Sequence, residues 1–235
     1  LGGQCDVVFL CVNRTEDVRE CLEAMAPRAQ PQTLFVDHST ILPSAARTFH
    51  SWLAGLGIRF VDAPITGGSV GAQKGELTVF CGGEPEAVAD AIAAMQPYVK
   101  RAERVGGPGA GQLMKVANQI AVAGALIGLC ESLSFATKAG LDLAQTQRLL
   151  SGGAAGSWAF EHYGPKVLAR DWSPGFTIRN QRKDFGYCKQ AAEEIGCAIP
   201  CTALVDSLLL DLEEEGKGEW TTAALYERLL NLSEG

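Results

Sequence analysis

The stretch RVGGPGAGQLMKVANQIAVAGALIGLCESLSFATKA, Arg104–Ala139, divides the chain into two kinds of text. Its opening cluster, Gly106-Gly107-Pro108-Gly109, ends a β-rich rhythm. From Gln112 to Ala139 small and apolar residues surround the whole helical circumference, as at Ala117, Ile120, Ala121, Ala125, Ile127 and Leu129. A helix of that composition is one buried on most sides, so this segment is expected to be a central helix. The domain boundary is therefore placed here, giving residues 1–107 and 108–235.

Upstream of the boundary, short β-rich runs at Asp6–Val12, Thr33–Asp37, Ile58–Asp62, Leu77–Cys81 and Ala102–Val105 alternate with helix-length segments. That is the rhythm of βαβ units. Helices are expected at Thr15–Met25 and Pro43–Leu56, with Pro43 a suitable first-turn proline. The sheet is expected to be mostly parallel, turning antiparallel or mixed after Asp62. Downstream, helices are expected at Leu143–Leu150, Ala159–Leu168, Gln181–Ile195, Cys201–Glu215 and Thr222–Leu230, with Gly196 as a C-cap and Thr221 as an N-cap. The fold class is thus an α/β sheet domain followed by an all-helical domain with a long central helix. No internal repeat or low-complexity segment is present, and Glu213-Glu214-Glu215 reads as a solvated helix end.

The 235 residues are enough for one or two cores. Hydrophobic residues make up 47% and charged residues 20%, which excludes a disordered chain. A net charge of −7 provides no basic field for nucleic acid or an anionic membrane, so any anion must be bound by local groups. No run of eighteen apolar residues free of charge occurs, and no membrane span is expected. The eight cysteines lack the tight paired spacing of a zinc site and are expected to be reduced and buried. His38, His50 and His162 are too scattered to suggest a triad or a metal site, and no metal is expected.

Three motifs carry chemistry. Val61-Asp62-Ala63-Pro64-Ile65-Thr66-Gly67-Gly68 runs a strand into a turn where two glycines can let backbone N–H groups converge on an anion, beside the Thr66 hydroxyl. An ordinary glycine turn fits these residues equally well. Lys115 sits early in an otherwise apolar helix, where a lysine must snorkel, pair or function. Partial desolvation lowers a lysine's pKa toward the range useful for proton transfer, and Asn118 and Gln119 share its helical face. Taken alone, Lys183-Asp184 reads as a surface charge pair, and Trp158 and Tyr163 as packing residues.

Order and spacing together resemble the β-hydroxyacid dehydrogenase family, which includes 3-hydroxyisobutyrate dehydrogenase, tartronate semialdehyde reductase and the glyoxylate/succinic semialdehyde reductases. The resemblance rests on VDHSTILPS (Val36–Ser44), VDAPITGGSVGAQKGELTVFCGG (Val61–Gly83), GAGQLMKVANQ (Gly109–Gln119), GSW (Gly156–Trp158) and RKDFG (Arg182–Gly186). It implies an NAD- or NADP-dependent oxidoreductase that interconverts a small 3-hydroxyacid and its semialdehyde. Lys115 matches the family's catalytic acid/base. Thr66, Gly67 and Gly68 match the substrate-carboxylate loop, and Asn118, Gln119 and Trp158 the substrate side. Val12, Asn13, Asp17, Thr40 and Lys183 match residues lining the cofactor.

The resemblance further implies a Rossmann-type sheet that is incomplete here and a helical domain like that of 6-phosphogluconate dehydrogenase. It implies association as a homodimer or homotetramer, and a cytoplasmic or mitochondrial-matrix setting. The family's Gly-rich strand–turn–helix is expected to precede Leu1 by roughly 55 residues, so residues 1–235 by themselves are expected to bind dinucleotide poorly. Thr66 stands where the family usually has Ser; it keeps the hydroxyl and adds a methyl. The alternative is a non-catalytic truncated homologue acting as a binding or oligomerisation module. Lys115 disfavours an imine reductase, and the lack of a basic cluster for a sugar phosphate disfavours 6-phosphogluconate chemistry.

Overall fold

The computed structural model describes residues 2–232 and resolves the chain into two compact units, Leu1–Ala117 and Asn118–Gly235. In the first unit β1 (Val7–Leu10), β2 (Leu34–Asp37) and β3 (Arg59–Asp62) lie side by side in parallel. Their register is one to one, so that Leu10, Asp37 and Asp62 end the three strands in a row. β2 is buried at all four positions, as a parallel strand covered on both faces should be. Phe35 faces one core with Val18, Leu22, Phe49 and Leu53, while Leu34 and Val36 face the other with Val61, Val79, Ala91 and Met95. Helices α1 (Thr15–Met25) and α2 (Pro43–Ala54) supply the first layer and α4 (Pro85–Met95) the second.

After Asp62 the sheet becomes mixed. A two-residue strand β4 (Ile65–Thr66) and β5 (Leu77–Gly82) pair antiparallel, β5 meets β3 through Asp62 and Gly82, and β6 (Val99–Gly106) runs parallel to β5. β6 carries exposed charges, Lys100, Arg101, Glu103 and Arg104, along a sheet border, a composition that resists edge-to-edge pairing. Strand β4 and helices α3 (Gly68–Lys74) and α4 were not read from the sequence. β4 is too short to show a period, and α4 is rich in alanine.

The central helix α5 (Ala110–Lys138) begins in the first unit and continues through the second. It has the length and apolar composition of a membrane span, although Lys115 and Glu131 interrupt its apolar run. Ala123, Leu126, Leu129, Cys130, Leu133 and Ala136 are fully packed, as in the core helix of a folded domain. The opposite side, at Ala117, Ala121, Gly124, Gly128 and Phe135, is exposed. Burial is therefore one-sided, and the expectation of a helix enclosed on most sides is corrected.

The second unit continues with α6 (Leu143–Ser151), α7 (Trp158–His162), α8 (Gly164–Ala169), α9 (Ile178–Ile195), α10 (Pro200–Leu212) and α11 (Leu225–Asn231). The expected helix Ala159–Leu168 is two helices: Pro165, which lacks an N–H, stands in the first turn of a new one that starts at Gly164. Gly196 closes α9 in the left-handed conformation (φ 68°), and Thr221 stands at the N-cap position of the short turn Thr222–Ala224 ahead of α11. All eight cysteines are free thiols, but only Cys81, Cys130 and Cys188 are buried. Cys11, Cys197 and Cys201 are exposed, which corrects the expectation of buried thiols. Among the described residues no cluster of three or more His, Cys, Asp or Glu is arranged to hold a metal ion.

Candidate active site

Open α/β sheets bind ligands beyond the carboxyl ends of their strands. At those ends of β1, β2 and β3 the first unit gathers its sequence-predicted residues. After β1, the Val12 N–H donates to Ser39 Oγ at 2.9 Å, tying the loop that leads into α1 to the loop after β2. A second tie runs from the Leu42 N–H to Thr15 Oγ1 at 3.3 Å. Asn13 is exposed and Thr40 half-buried. Asp17 acts locally, its carboxylate accepting the Arg14 N–H at 2.9 Å and closing the first turn of α1.

Thr66 and Lys115 meet. The Lys115 ammonium donates to the Ile65 carbonyl at 2.8 Å, the peptide group that leads directly into Thr66. Lys115 is 8% exposed, so its head does not snorkel out to water. Gly67 (φ 123°) and Gly68 (φ 62°) both occupy the left-handed side of backbone space, which the sequence required of an anion-binding turn. They lead into the first turn of α3, whose N–H groups have no intrahelical partner.

In the second unit Asn118 donates to Gln119 Oε1 at 2.9 Å, and Gln119 donates to Asp184 Oδ2 at 2.8 Å. The Gln119 amide is thus committed at both ends, which leaves the more exposed Asn118 as the more available side chain. Asp184 is 2% exposed and pairs at 3.1 Å with the half-buried Lys183, so its carboxylate is interior and not part of a solvated surface pair. Lys183 Nζ also lies 5.6 Å from the centre of the Tyr187 ring. Trp158 is half exposed and stacks on His162 at 4.2 Å, so it is not a core packing residue, whereas burial raises the phenol of Tyr163 above its ordinary pKa.

Two polar groups that the sequence reading missed complete the first unit. Asp62 accepts the N–H groups of Gly109 (2.8 Å) and Gln112 (2.9 Å) at the start of α5. Gln112, fully buried, accepts the Ile41 N–H (3.1 Å) and donates to the Ser39 carbonyl (2.8 Å), bracketing Thr40. Burial pushes Asp62 up to about 7 against the lowering effect of its two N–H donors, and pushes its register neighbour Asp37 up to about 7 as well. The available signal was the glycine at 111: a Cβ there would stand 2.5 Å from the Asp62 carbonyl and 2.8 Å from its carboxylate.

A sheet whose parallel strand β3 caps the head of a long helix through Asp62, with the buried lysine of that helix bonded to the segment that follows, is the arrangement found, and comparison with known proteins gives the class. Residues 2–107 match the NAD binding domain of 6-phosphogluconate dehydrogenase, and residues 109–229 match the NAD-binding domain of NADP-dependent 3-hydroxyisobutyrate dehydrogenase. The chain belongs to the β-hydroxyacid dehydrogenase family of NAD(P)-dependent oxidoreductases.

It is 37% identical to a probable 3-hydroxyisobutyrate dehydrogenase-like 1, mitochondrial, of Arabidopsis thaliana, over 99% of this chain and 72% of that protein. It is 33% identical to 2-hydroxy-3-oxopropionate reductase of Escherichia coli, over 95% and 78%. The structure of a Mycobacterium tuberculosis 3-hydroxyisobutyrate dehydrogenase with L-serine superposes with a TM-score of 0.89 at 27% identity, covering 97% of this chain and 80% of that one.

Proposed function

We propose that this protein interconverts a small 3-hydroxyacid and its semialdehyde with NAD or NADP, using Lys115 as the general acid/base. The observation that carries the reading is the contact between the Lys115 ammonium and the Ile65 carbonyl, which puts a buried proton carrier beside the Thr66-Gly67-Gly68 turn. A substrate carboxylate on that turn would be held by the Thr66 hydroxyl and by N–H groups of the first turn of α3. Lys115 would take the substrate hydroxyl proton in oxidation and return it in reduction. Asn118 orients the reacting oxygen, with Gln119 holding Asn118 in place. Trp158 is assigned to the substrate side on the resemblance of its GSW block.

The cofactor fits the residues present: the exposed Asn13 carboxamide and the half-buried Thr40 hydroxyl stand on two loops tied together at the ends of β1 and β2. Val12 offers apolar surface there, Asp17 shapes the loop, and Lys183 is assigned to the cofactor by its RKDFG block. When bound, the nicotinamide accepts or supplies the hydride. Residues 1–107 are assigned to the nucleotide side and residues 108–235 to substrate binding and self-association.

A second copy is the proposed cover for the bare side of the helical unit, where Phe135 (72% exposed), Leu141 and Leu149 stand out to solvent. Phe135, Leu141 and Leu150 line a hollow of about 490 Å³ there. Homodimers, or homotetramers built from them, follow.

The test is turnover of C3–C4 semialdehydes with NADH and NADPH, with Lys115→Ala in parallel. Loss of roughly 10²- to 10⁴-fold in kcat is expected if the lysine transfers the proton. Undiminished kcat in a folded Lys115→Ala protein would refute the assignment.

A further inference from the structure

The head of α5 has no capping side chain of its own, because Pro108 and Gly109 precede it. The cap comes instead from the sheet, 47 and 50 residues away in sequence, as the Asp62 carboxylate accepts from Gly109 and Gln112. A negative charge at a helix N-terminus is favourable, and a cap delivered from a strand end also fixes where the helix stands. Three residues beyond Asp62 the same segment receives Lys115 through the Ile65 carbonyl, and three residues before Lys115 the helix sends Gln112 to Ser39 and Ile41. One turn of α5 is therefore gripped by the Asp62–Ile65 segment at both its ends, and by the loop that carries Thr40.

We propose that Asp62 and Gln112 are positioning residues: Asp62 seats the first turn of α5, and Gln112 locks that turn to the Ser39–Ile41 loop. Lys115 Nζ and the Thr40 loop are then held at a fixed separation. This rests on the reading of Lys115 as the acid/base. It goes beyond that reading in naming two residues that touch no substrate yet set the geometry in which proton transfer occurs. The close approach explains the glycine at 111, since any side chain there would drive the helix off Asp62. It also explains a glutamine at 112, which offers one donor and one acceptor to a backbone carbonyl and N–H only two residues apart.

The experiment uses the intact protein and the variants Asp62→Asn, Gln112→Met and Lys115→Ala, each checked for wild-type circular dichroism. In Asp62→Asn one oxygen becomes an NH₂ that must face a backbone N–H, and in Gln112→Met both loop bonds are lost at similar volume. Three readouts are taken: kcat and KM, deuterium uptake by the peptide spanning residues 109–118, and the rate at which acetic anhydride acylates Lys115. The proposal expects kcat to fall about 10- to 100-fold with KM changed by less than about threefold. It also expects deuterium uptake and Lys115 acylation to accelerate by at least about fivefold.

Unchanged uptake and acylation in both variants would overturn it, as would a loss confined to KM. If Asp62→Asn fails to fold, Gln112→Met decides on the same readouts. If Lys115→Ala keeps full turnover, the acid/base reading falls, while uptake and acylation still decide whether Asp62 and Gln112 seat the lysine.

Discussion

Acidification from pH 8 to pH 5 is expected to stabilise this protein, the reverse of ordinary acid denaturation. Asp37 and Asp62 end adjacent parallel strands, are fully or almost fully buried, and are raised by that burial to about 7 from an ordinary 3.8. A carboxyl whose folded pKa lies above its unfolded value binds more protons when folded. Its contribution to stability is therefore full below the unfolded pKa and is lost as pH rises through the folded one. Between pH 8 and pH 5 such a group contributes on the order of 3 kcal/mol by linkage, and the Coulombic coupling of Asp62 to Asp37 keeps the two contributions from simply adding.

His38 works the other way. Its pKa is lowered by burial against its bond to the Ala63 carbonyl, so the unfolded chain gains a proton below about 6.5 that the fold refuses. That offsets part of the gain and leaves a net rise in melting temperature on the order of 5 °C. Asp171, held at about 2 chiefly by its bonds from Ser173 and also by Lys166, loses its contribution only below about pH 4, outside this window. Thermal unfolding of the wild type and of Asp62→Asn at half-unit steps is the assay, with the difference between the two slopes isolating Asp62. Identical slopes, or a wild type that melts lower at pH 5 than at pH 8, would refute the reasoning.

Gly111→Ala should cost about 3 kcal/mol or more, because its Cβ would lie 2.4 Å from the Phe80 carbonyl and 2.5 Å from the Asp62 carbonyl, both rigid backbone; denaturant unfolding reads this directly. Thr66→Ser keeps the hydroxyl and removes a methyl from a half-buried position, so kcat should hold while larger C4–C5 semialdehydes gain in kcat/KM relative to C3, by up to about tenfold. Phe135→Lys, at the most exposed large apolar side chain of α5, should shift the protein toward monomer in sedimentation velocity while leaving its circular dichroism unchanged.

The division of the chain was legible because composition changes abruptly at Gly106–Gly109, and β2 and β3 because the short apolar cores Leu34-Phe35-Val36 and Phe60-Val61 lie between turn signals. Lys115 was legible as an anomaly: a charge where the helical pattern asked for an apolar group. Thr66-Gly67-Gly68 was legible as a turn, and its positive φ values follow from the residue type. What was not legible depends on register. Nothing near Asp62 in sequence shows that its strand ends level with Asp37, or that its carboxylate meets a helix 47 residues later. Read alone, Lys183-Asp184 looked like a surface pair for the same reason, since Asp184 is buried and bonded to Gln119, 65 residues earlier. The exposed side of α5 looked like core because alanine and glycine suit a buried helix and an uncovered one alike.

Asp62 joins these threads, because the state that best serves the fold is not the state that best serves the site. Both its oxygens accept backbone N–H groups, an arrangement that fits the anion; a proton on either oxygen makes it a poorer acceptor toward its N–H. Yet burial, with Asp37 alongside, raises the cost of the anion until it is only half populated near pH 7, and the Cys81 thiol on β5 is itself pushed up to about 12 by burial and by this carboxylate. Lowering the pH relieves that cost and strengthens the fold, while it weakens the cap that seats Lys115. Turnover should therefore fall on the acid side with a midpoint near 7 over the same range in which the melting temperature rises. In Asp62→Asn that acid limb should disappear from an already diminished kcat. Parallel decline of stability and turnover would instead mean that acid acts by loosening the domain, and that Asp62 is an ordinary buried carboxylate.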